Sequence, residues 1–193
     1  MKNKRTEFPQ STSVEKELKR EKYRQKFKLS LKSTFFTLIT VAAIAVLVAT
    51  LWLPVLEIYG DSMSPCLNDG EIVVSVKSKT FDPGEVIAFY YNNKVLIKRV
   101  IATSGDWVDI KEDGTVFINN KELDEPYLEE KALGDCDIEL PYQVPENKVF
   151  VIGDHRSVSV DSRNTAVGCI SEDQIVGKIV YKVWPYNAFG AVN

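Results

Sequence analysis

Three short polar segments interrupt the apolar, β-branched part of the chain, and their residue types can do acyl-transfer chemistry. The first is Gly60-Asp61-Ser62-Met63-Ser64-Pro65, where two hydroxyls flank a methionine in a loop stiffened by proline. The second is Val95-Leu96-Ile97-Lys98-Arg99-Val100-Ile101, in which two adjacent cations break an apolar strand. In strict alternation Leu96, Lys98 and Val100 share one face, and Ile97, Arg99 and Ile101 the other. Each cation then either lies beside apolar groups or snorkels outward at a sheet edge. The third is Gly153-Asp154-His155-Arg156-Ser157 followed by Asp161-Ser162-Arg163, a dense polar loop after an apolar strand. A serine hydroxyl becomes a useful nucleophile when a neighbouring base takes its proton. Lysine serves as that base only when neutral, and its reference pKa is near 10.4. Burial against groups such as Tyr90, Leu96, Ile97 and Val100 disfavours the ammonium and lowers that value. His155 is the single histidine, so any Ser–His–Asp arrangement must use it, with Asp154 or Asp161 as third member.

The elements that position these segments follow from the charge and hydropathy pattern. The 193 residues carry a net charge of −3, which hides a strong asymmetry. Residues 1–32 hold 11 Lys+Arg against 4 Asp+Glu, a net of +7, and the remainder has a net of −10. Between the blocks an uncharged run extends from Ser33 to Leu56. About 20 helical residues cover the roughly 30 Å hydrocarbon layer, so this run is long enough to span a bilayer. Lys and Arg beside a span stay cytoplasmic, which puts the N-terminus inside and residues 57–193 outside. Trp52 and Tyr59 stand where interfacial aromatics belong, and Pro54 ends the helix. The expected organisation is a basic cytoplasmic tail over 1–32, an anchor over 33–56 and an extracytoplasmic domain over 57–193. A cleaved secretory signal fits poorly: the basic region is long and no small-x-small motif follows Leu53. The first 28 residues read as a loose or surface-lying helix with a thin stripe of Val14, Leu18 and Tyr23.

After residue 56 the apolar runs are short and β-branched. Strands are expected over 71–77, 85–91, 94–103, 106–111, 115–119, 148–152 and 175–183, separated by turn signals. Asn92-Asn93 reads as a tight hairpin. Ser171-Glu172-Asp173-Gln174 has capping-box spacing. The acidic, proline-containing stretch 122–146 reads as a connection with one short strand. The fold class is mainly β, a barrel or coiled sheet behind a single N-terminal transmembrane helix. Three cysteines without a C-x-x-C pair and one histidine argue against a zinc site. Cys136 and Cys169 either bridge or, the favoured reading, all three cysteines remain mostly buried thiols.

Taken together, Ser62-Met63-Ser64-Pro65, Ile97-Lys98-Arg99-Val100 and Gly153-Asp154-His155-Arg156 with Asp161-Ser162-Arg163 resemble, in order, the boxes of the type I signal peptidase family, Gram-positive branch. Pro83-Gly84-Glu85-Val86-Ile87-Ala88-Phe89 resembles its intervening strand, and Gly105-Asp106 follows the lysine box as it does there. The resemblance covers about residues 33–185. It implies a membrane-bound serine endopeptidase that removes signal peptides from secreted preproteins. Ser62 would be nucleophile and Lys98 general base, cutting through an acyl-enzyme after small residues in an Ala-x-Ala pattern. It implies that Ser159 bonds the lysine, that Asp161 and Arg163 brace the site, and that Gly60, where some members have a serine oxyanion donor, offers its N–H or leaves that place to water. Ile58, Met63, Leu67, Leu96 and Ile97 match substrate-pocket positions. His155 stands where the family has asparagine, Cys66 where it often has threonine, and Val158 where it often has asparagine. The partners implied are preprotein signal peptides emerging from the secretion machinery and the lipid bilayer, with no cofactor, no metal and no nucleic acid. Competing readings are a dyad relative that processes one pilin-like protein, a non-catalytic anchored β-domain, and a self-cleaving repressor. The last carries a DNA-binding head, where this chain has a span.

Overall fold

The computed structural model describes residues 11–192; the side chains of residues 11–13 and 49–52 lie outside what is described, Trp52 among them. So do the first ten residues of the expected basic tail. The chain divides near residue 48 into two compact units. The first is the helix α1 (Ser11–Trp52), 42 residues long. Its stretch Val14–Val48 is long and apolar enough to cross a membrane, with none of it buried. Thr34, Thr37 and Thr40 donate their hydroxyls to carbonyls four residues back at 3.0, 2.9 and 2.9 Å. These polar groups are thus satisfied within the helix itself. The polar segment expected to be loose is continuous with the apolar one, because its Glu, Lys and Arg are good helix formers with no breaker between them. The helix stops two residues before Pro54, as that proline requires.

The second unit is built from twelve strands in two antiparallel sheets. They are β1 (Val55–Glu57), β2 (Ile72–Val76), β3 (Val86–Tyr91), β4 (Lys94–Ala102), β5 (Trp107–Ile110), β6 (Val116–Ile118), β7 (Lys121–Glu122), β8 (Tyr142–Gln143), β9 (Lys148–Ile152), β10 (Ile170–Ser171), β11 (Ile175–Trp184) and β12 (Gly190–Ala191). The larger sheet runs β1-β2-β11-β3-β4-β9-β10 with β12 beside β11; the smaller runs β7-β6-β5-β8. The longer strands fall within one or two residues of the expected ranges. The connection 122–146 carries parts of two very short strands, not one. β3 and β4 form the hairpin, pairing Tyr91 with Lys94, and Asn92 takes a φ of 52° at its tip. Gln174 accepts from the Ser171 N–H at 3.0 Å, so the capping-box spacing starts a single 3₁₀ turn there.

Burial explains the order. β2 buries Val73 and Ser75 and leaves Ile72, Val74 and Val76 half-exposed, the alternation of a one-sided strand. β3 buries Val86 through Phe89 without alternation, as a strand covered on both faces must. One apolar cluster gathers Ile101, Val108, Val116, Phe150 and Ile152 and so joins the two sheets. A second gathers Ile58, Met63, Leu67, Val73 and Ile179. None of the three cysteines is in a disulfide, so a Cys136–Cys169 bridge is not formed. Cys169 is buried, whereas Cys66 and Cys136 are only half-buried, which corrects the expectation of mostly buried thiols.

Candidate active site

Ser62 sits on the turn that follows β1. The Ile58 N–H donates to the Glu71 carbonyl at 2.8 Å, and the Gly70 N–H returns to the Ile58 carbonyl at 2.9 Å, closing a loop over residues 58–71. Within it the Leu67 N–H reaches the Met63 carbonyl at 2.9 Å. That spacing drives Met63 and Leu67 together into the core and leaves Ser62 half-buried above them. The loop is held from behind by the polar segment after β9. The His155 N–H donates to the Ser62 carbonyl at 3.1 Å. Gly153 is needed for that approach: an added Cβ would fall on Ser159 Oγ and the Ser62 carbonyl oxygen.

Lys98 comes from β4, opposite Ile87, and is 3% exposed. Its Nζ lies 2.6 Å from Ser62 Oγ. No carboxylate pairs with it among the described residues, and burial lowers its pKa to about 8. The charges of Asp161 and Asp154 pull the value back up and Arg163 pushes it down, but desolvation is the largest cause. Arg99, the next residue, faces the other way and is also buried. Its guanidinium holds Asp154 with two bonds of 2.9 and 2.7 Å, gives a third at 2.6 Å to the Gly84 carbonyl, and lies 4.0 Å from the Tyr127 ring centre. Neither cation snorkels to solvent: Lys98 and Arg99 are both buried, although the β4 edge at Lys98 is unpaired.

Two further buried ion pairs stiffen the loop behind Ser62. Asp161 accepts from Arg163 at 2.8 and 2.9 Å and from the Gly153 N–H at 3.0 Å. Arg163 continues to the Leu133 and Arg156 carbonyls at 2.5 and 3.0 Å. Arg156 pairs with Glu125. Asp137 accepts from the N–H and hydroxyl of Thr165 at 2.6 and 2.8 Å, and Asp135 from Asn164 at 2.7 Å. The acidic connection is therefore a clamp on the site loop. Its acidity and its prolines were visible in the sequence, but the pairing of Glu125 with a residue 31 positions away had no local signal. Arg99–Asp154 and the stacking of Tyr127 were missed for the same reason.

Beside the pair lies a narrow cleft of about 70 Å³, lined on one side by Ile58, Ser62 and Met63 and on the other by Leu96, Ile97 and Lys98. β4 pairs with β3 along its whole length to Arg99, but β9 joins its other edge only from Arg99 onward. The edge from Lys94 to Lys98 is open, and it borders the cleft.

The family described as signal peptidase, peptidase S26, matches residues 31–184. The chain belongs to that family. It is 40% identical over 152 residues to a signal peptidase IB of Staphylococcus aureus (strain COL), which covers 68% of this chain and 78% of the relative. It is 36% identical over 146 residues to signal peptidase I S of Bacillus subtilis (strain 168), covering 69% and 78%. The crystal structure of a signal peptidase I from Enterococcus faecalis V583 is 27% identical, with a TM-score of 0.43, covering 53% of this chain and 98% of that one. This signal peptidase departs at Ser159 and Leu67 from what the family resemblance implies, and at Gly60 one of the two alternatives falls away. Ser159 is buried beside Gly153, and its Oγ makes no hydrogen bond among the described residues, to Lys98 or otherwise. The Gly60 N–H is held by Asp69 Oδ1 at 2.6 Å, so it does not face a reacting oxygen. Its φ of +84° suits glycine and would strain a serine. Leu67 does not line the cleft; it is fully buried beneath it. His155 meets Ser62 only through the backbone: its Nδ1 lies 3.2 Å from the Asp61 carbonyl oxygen.

Proposed function

We propose that this peptidase removes signal peptides from secreted preproteins through a Ser62–Lys98 dyad, cutting after small residues in an Ala-x-Ala pattern. The observation that carries the reading is the 2.6 Å separation between Ser62 Oγ and a buried Lys98 Nζ whose pKa is lowered to about 8. Near neutral pH such an amine is neutral often enough to accept a proton. In the proposed reaction Ser62 Oγ attacks the scissile carbonyl as its proton passes to Lys98 Nζ. The ammonium then protonates the leaving amine, and the neutral amine activates water to release the acyl group. The Ser62 N–H is the oxyanion donor, with Gly60 occupied by Asp69. The His155 N–H holds the Ser62 carbonyl from behind, and Asp161–Arg163 fixes that loop through the Gly153 N–H.

Selection for small side chains is supported by the narrow apolar cleft of Ile58, Met63, Leu96 and Ile97, which excludes bulk more readily than it rewards it. The open edge of β4 offers backbone bonds to an extended substrate. We place residues 1–32 on the cytoplasmic side, 33–56 in the cell membrane and 57–193 outside. This is supported by the Lys/Arg-rich first part of α1 and the apolar remainder. Incubating purified protein in detergent with a preprotein, and locating the cut by mass spectrometry, tests the reading. Cleavage immediately after the last alanine of an Ala-x-Ala end is expected; no cleavage, or cleavage unaffected by Ser62→Ala, would overturn it.

A further inference from the structure

Two buried ion pairs flank the point where the scaffold grips the nucleophile turn. That point is the His155 N–H, which donates to the Ser62 carbonyl at 3.1 Å. On one side of His155, Asp154 is bound to Arg99; on the other, Arg156 is bound to Glu125, and all four side chains are buried. Arg99 follows Lys98 on β4, so the first pair ties the loop to the strand that carries the amine. Glu125 lies outside any strand, so the second pair ties the same loop to a segment that no sheet fixes. One side chain touches a member of each pair. The Tyr127 ring centre lies 4.0 Å from Arg99 Cζ, and the Tyr127 hydroxyl donates to Glu125 at 2.9 Å. The local sequence puts it there. Glu125-Pro126-Tyr127-Leu128 closes as a turn, with the Leu128 N–H reaching the Glu125 carbonyl at 3.2 Å. Proline presets the backbone at the second position of such a turn, so Glu125 and Tyr127 emerge together. Burial and the Glu125 carboxylate both push the Tyr127 hydroxyl pKa up, so the hydroxyl stays a donor.

Charge matching alone does not call for this bridge. Arg99 has three hydrogen bonds, to Asp154 and the Gly84 carbonyl, without it, and Glu125 has Arg156. What the bridge adds is register. It fixes the strand of Arg99 against the Glu125–Arg156 pair, and the loop between those anchors carries the N–H that holds Ser62. The 2.6 Å contact between Ser62 Oγ and Lys98 Nζ joins the two sides of that assembly. Reacting groups displaced by about 1 Å can lose about a hundredfold in rate. Tyr127 does not line the cleft beside Ser62, so its effect on the reaction runs through placement and not through contact with substrate. We infer that Tyr127 is a positioning residue, whose ring on Arg99 and hydroxyl on Glu125 keep the Ser62 turn in register with Lys98. The inference rests on the dyad proposed above and adds to it the group that aligns its two members.

The test uses the full-length protein in detergent, a preprotein with an Ala-x-Ala end, and the variants Tyr127→Phe and Tyr127→Leu. The first keeps the ring on Arg99 and loses the bond to Glu125; the second loses both. kcat should fall about threefold in Tyr127→Phe and about thirtyfold in Tyr127→Leu, with KM within about twofold of the wild type. His155 is the single histidine, so protein labelled with isotopic histidine and purified without a histidine tag gives one backbone amide resonance for that residue type. The resonance reports the bond to the Ser62 carbonyl and should move upfield from wild type to Phe to Leu. Val116→Ala, in the cluster that joins the two sheets, controls for lost stability: it should lower the melting temperature yet leave kcat and the His155 resonance unchanged. An unchanged kcat in both Tyr127 variants, a change confined to KM, or a fall in kcat with the His155 resonance unmoved would overturn the role. Should Tyr127→Leu not fold, Tyr127→Phe decides by the same two readings. A wild type no more active than Ser62→Ala would instead overturn the dyad reading, and this role with it.

Discussion

Two adjacent residues of β4 show how differently one fold can treat a buried cation. Arg99 is given two bonds from Asp154, a carbonyl and an aromatic face, so its charge is fully matched. Lys98 is given apolar neighbours and a serine hydroxyl, and its pKa falls to about 8. The same depth of burial therefore yields a permanent ion on one face and a titratable amine on the other. A carboxylate within bonding distance decides the outcome: present, it makes a brace; absent, it leaves an amine that gives up its proton more readily.

The sharpest way to break this contrast is to remove the reacting atoms. Ser62→Ala and Lys98→Met should each lower preprotein cleavage by at least about a thousandfold, with far-UV circular dichroism unchanged. Substantial activity in either would end the dyad assignment. Stability should divide the two cations next. Asp154→Ala strands the Arg99 guanidinium in the interior and should cost about 3–5 kcal/mol in urea unfolding of the detergent-solubilised protein. Lys98→Met should cost under about 1 kcal/mol, since it removes a buried amine that no carboxylate holds. Equal losses would mean that both cations are structural. The pH profile is the third lever. In the proposed dyad Lys98 acts when deprotonated, so kcat/KM should rise with pH and level off above about 8, standing about a hundredfold lower at pH 6. A profile flat to pH 5 would contradict an amine base. The smallest effect is expected at His155→Asn, whose rate should stay within about threefold, because the ring contacts a carbonyl and not the nucleophile. A loss of several orders of magnitude there would restore a histidine triad.

Much of this was legible because it is local. The hairpin at Asn92, the strands around Lys98 and the capping-box turn at Ser171 each follow from a few neighbouring residues. The helix was legible in its apolar part, but its polar part reads as loose only if helix propensity is set aside. What was hidden is long-range. Glu125 sits in a stretch with no periodicity, and nothing near it announces Arg156. Gly60 was given by resemblance a free N–H or a water in its place, and only the folded loop brings Asp69 to that N–H. Ser159 was assigned a bond by resemblance that the folded loop does not make, since its hydroxyl lies buried against Gly153. Leu67 shared the apolar character of the cleft residues, and only the position of the turn shows that it lies under the floor.

The missing side chain at Gly153 has a consequence for how this molecule can vary. The space a Cβ would take at Gly153 is filled by the Ser62 carbonyl and the Ser159 hydroxyl together. A single methyl group there would meet both oxygens and push on the backbone that carries the Ser62 hydroxyl. Gly153→Ala would thus disturb the packing behind the nucleophile turn while leaving both members of the proposed dyad chemically intact.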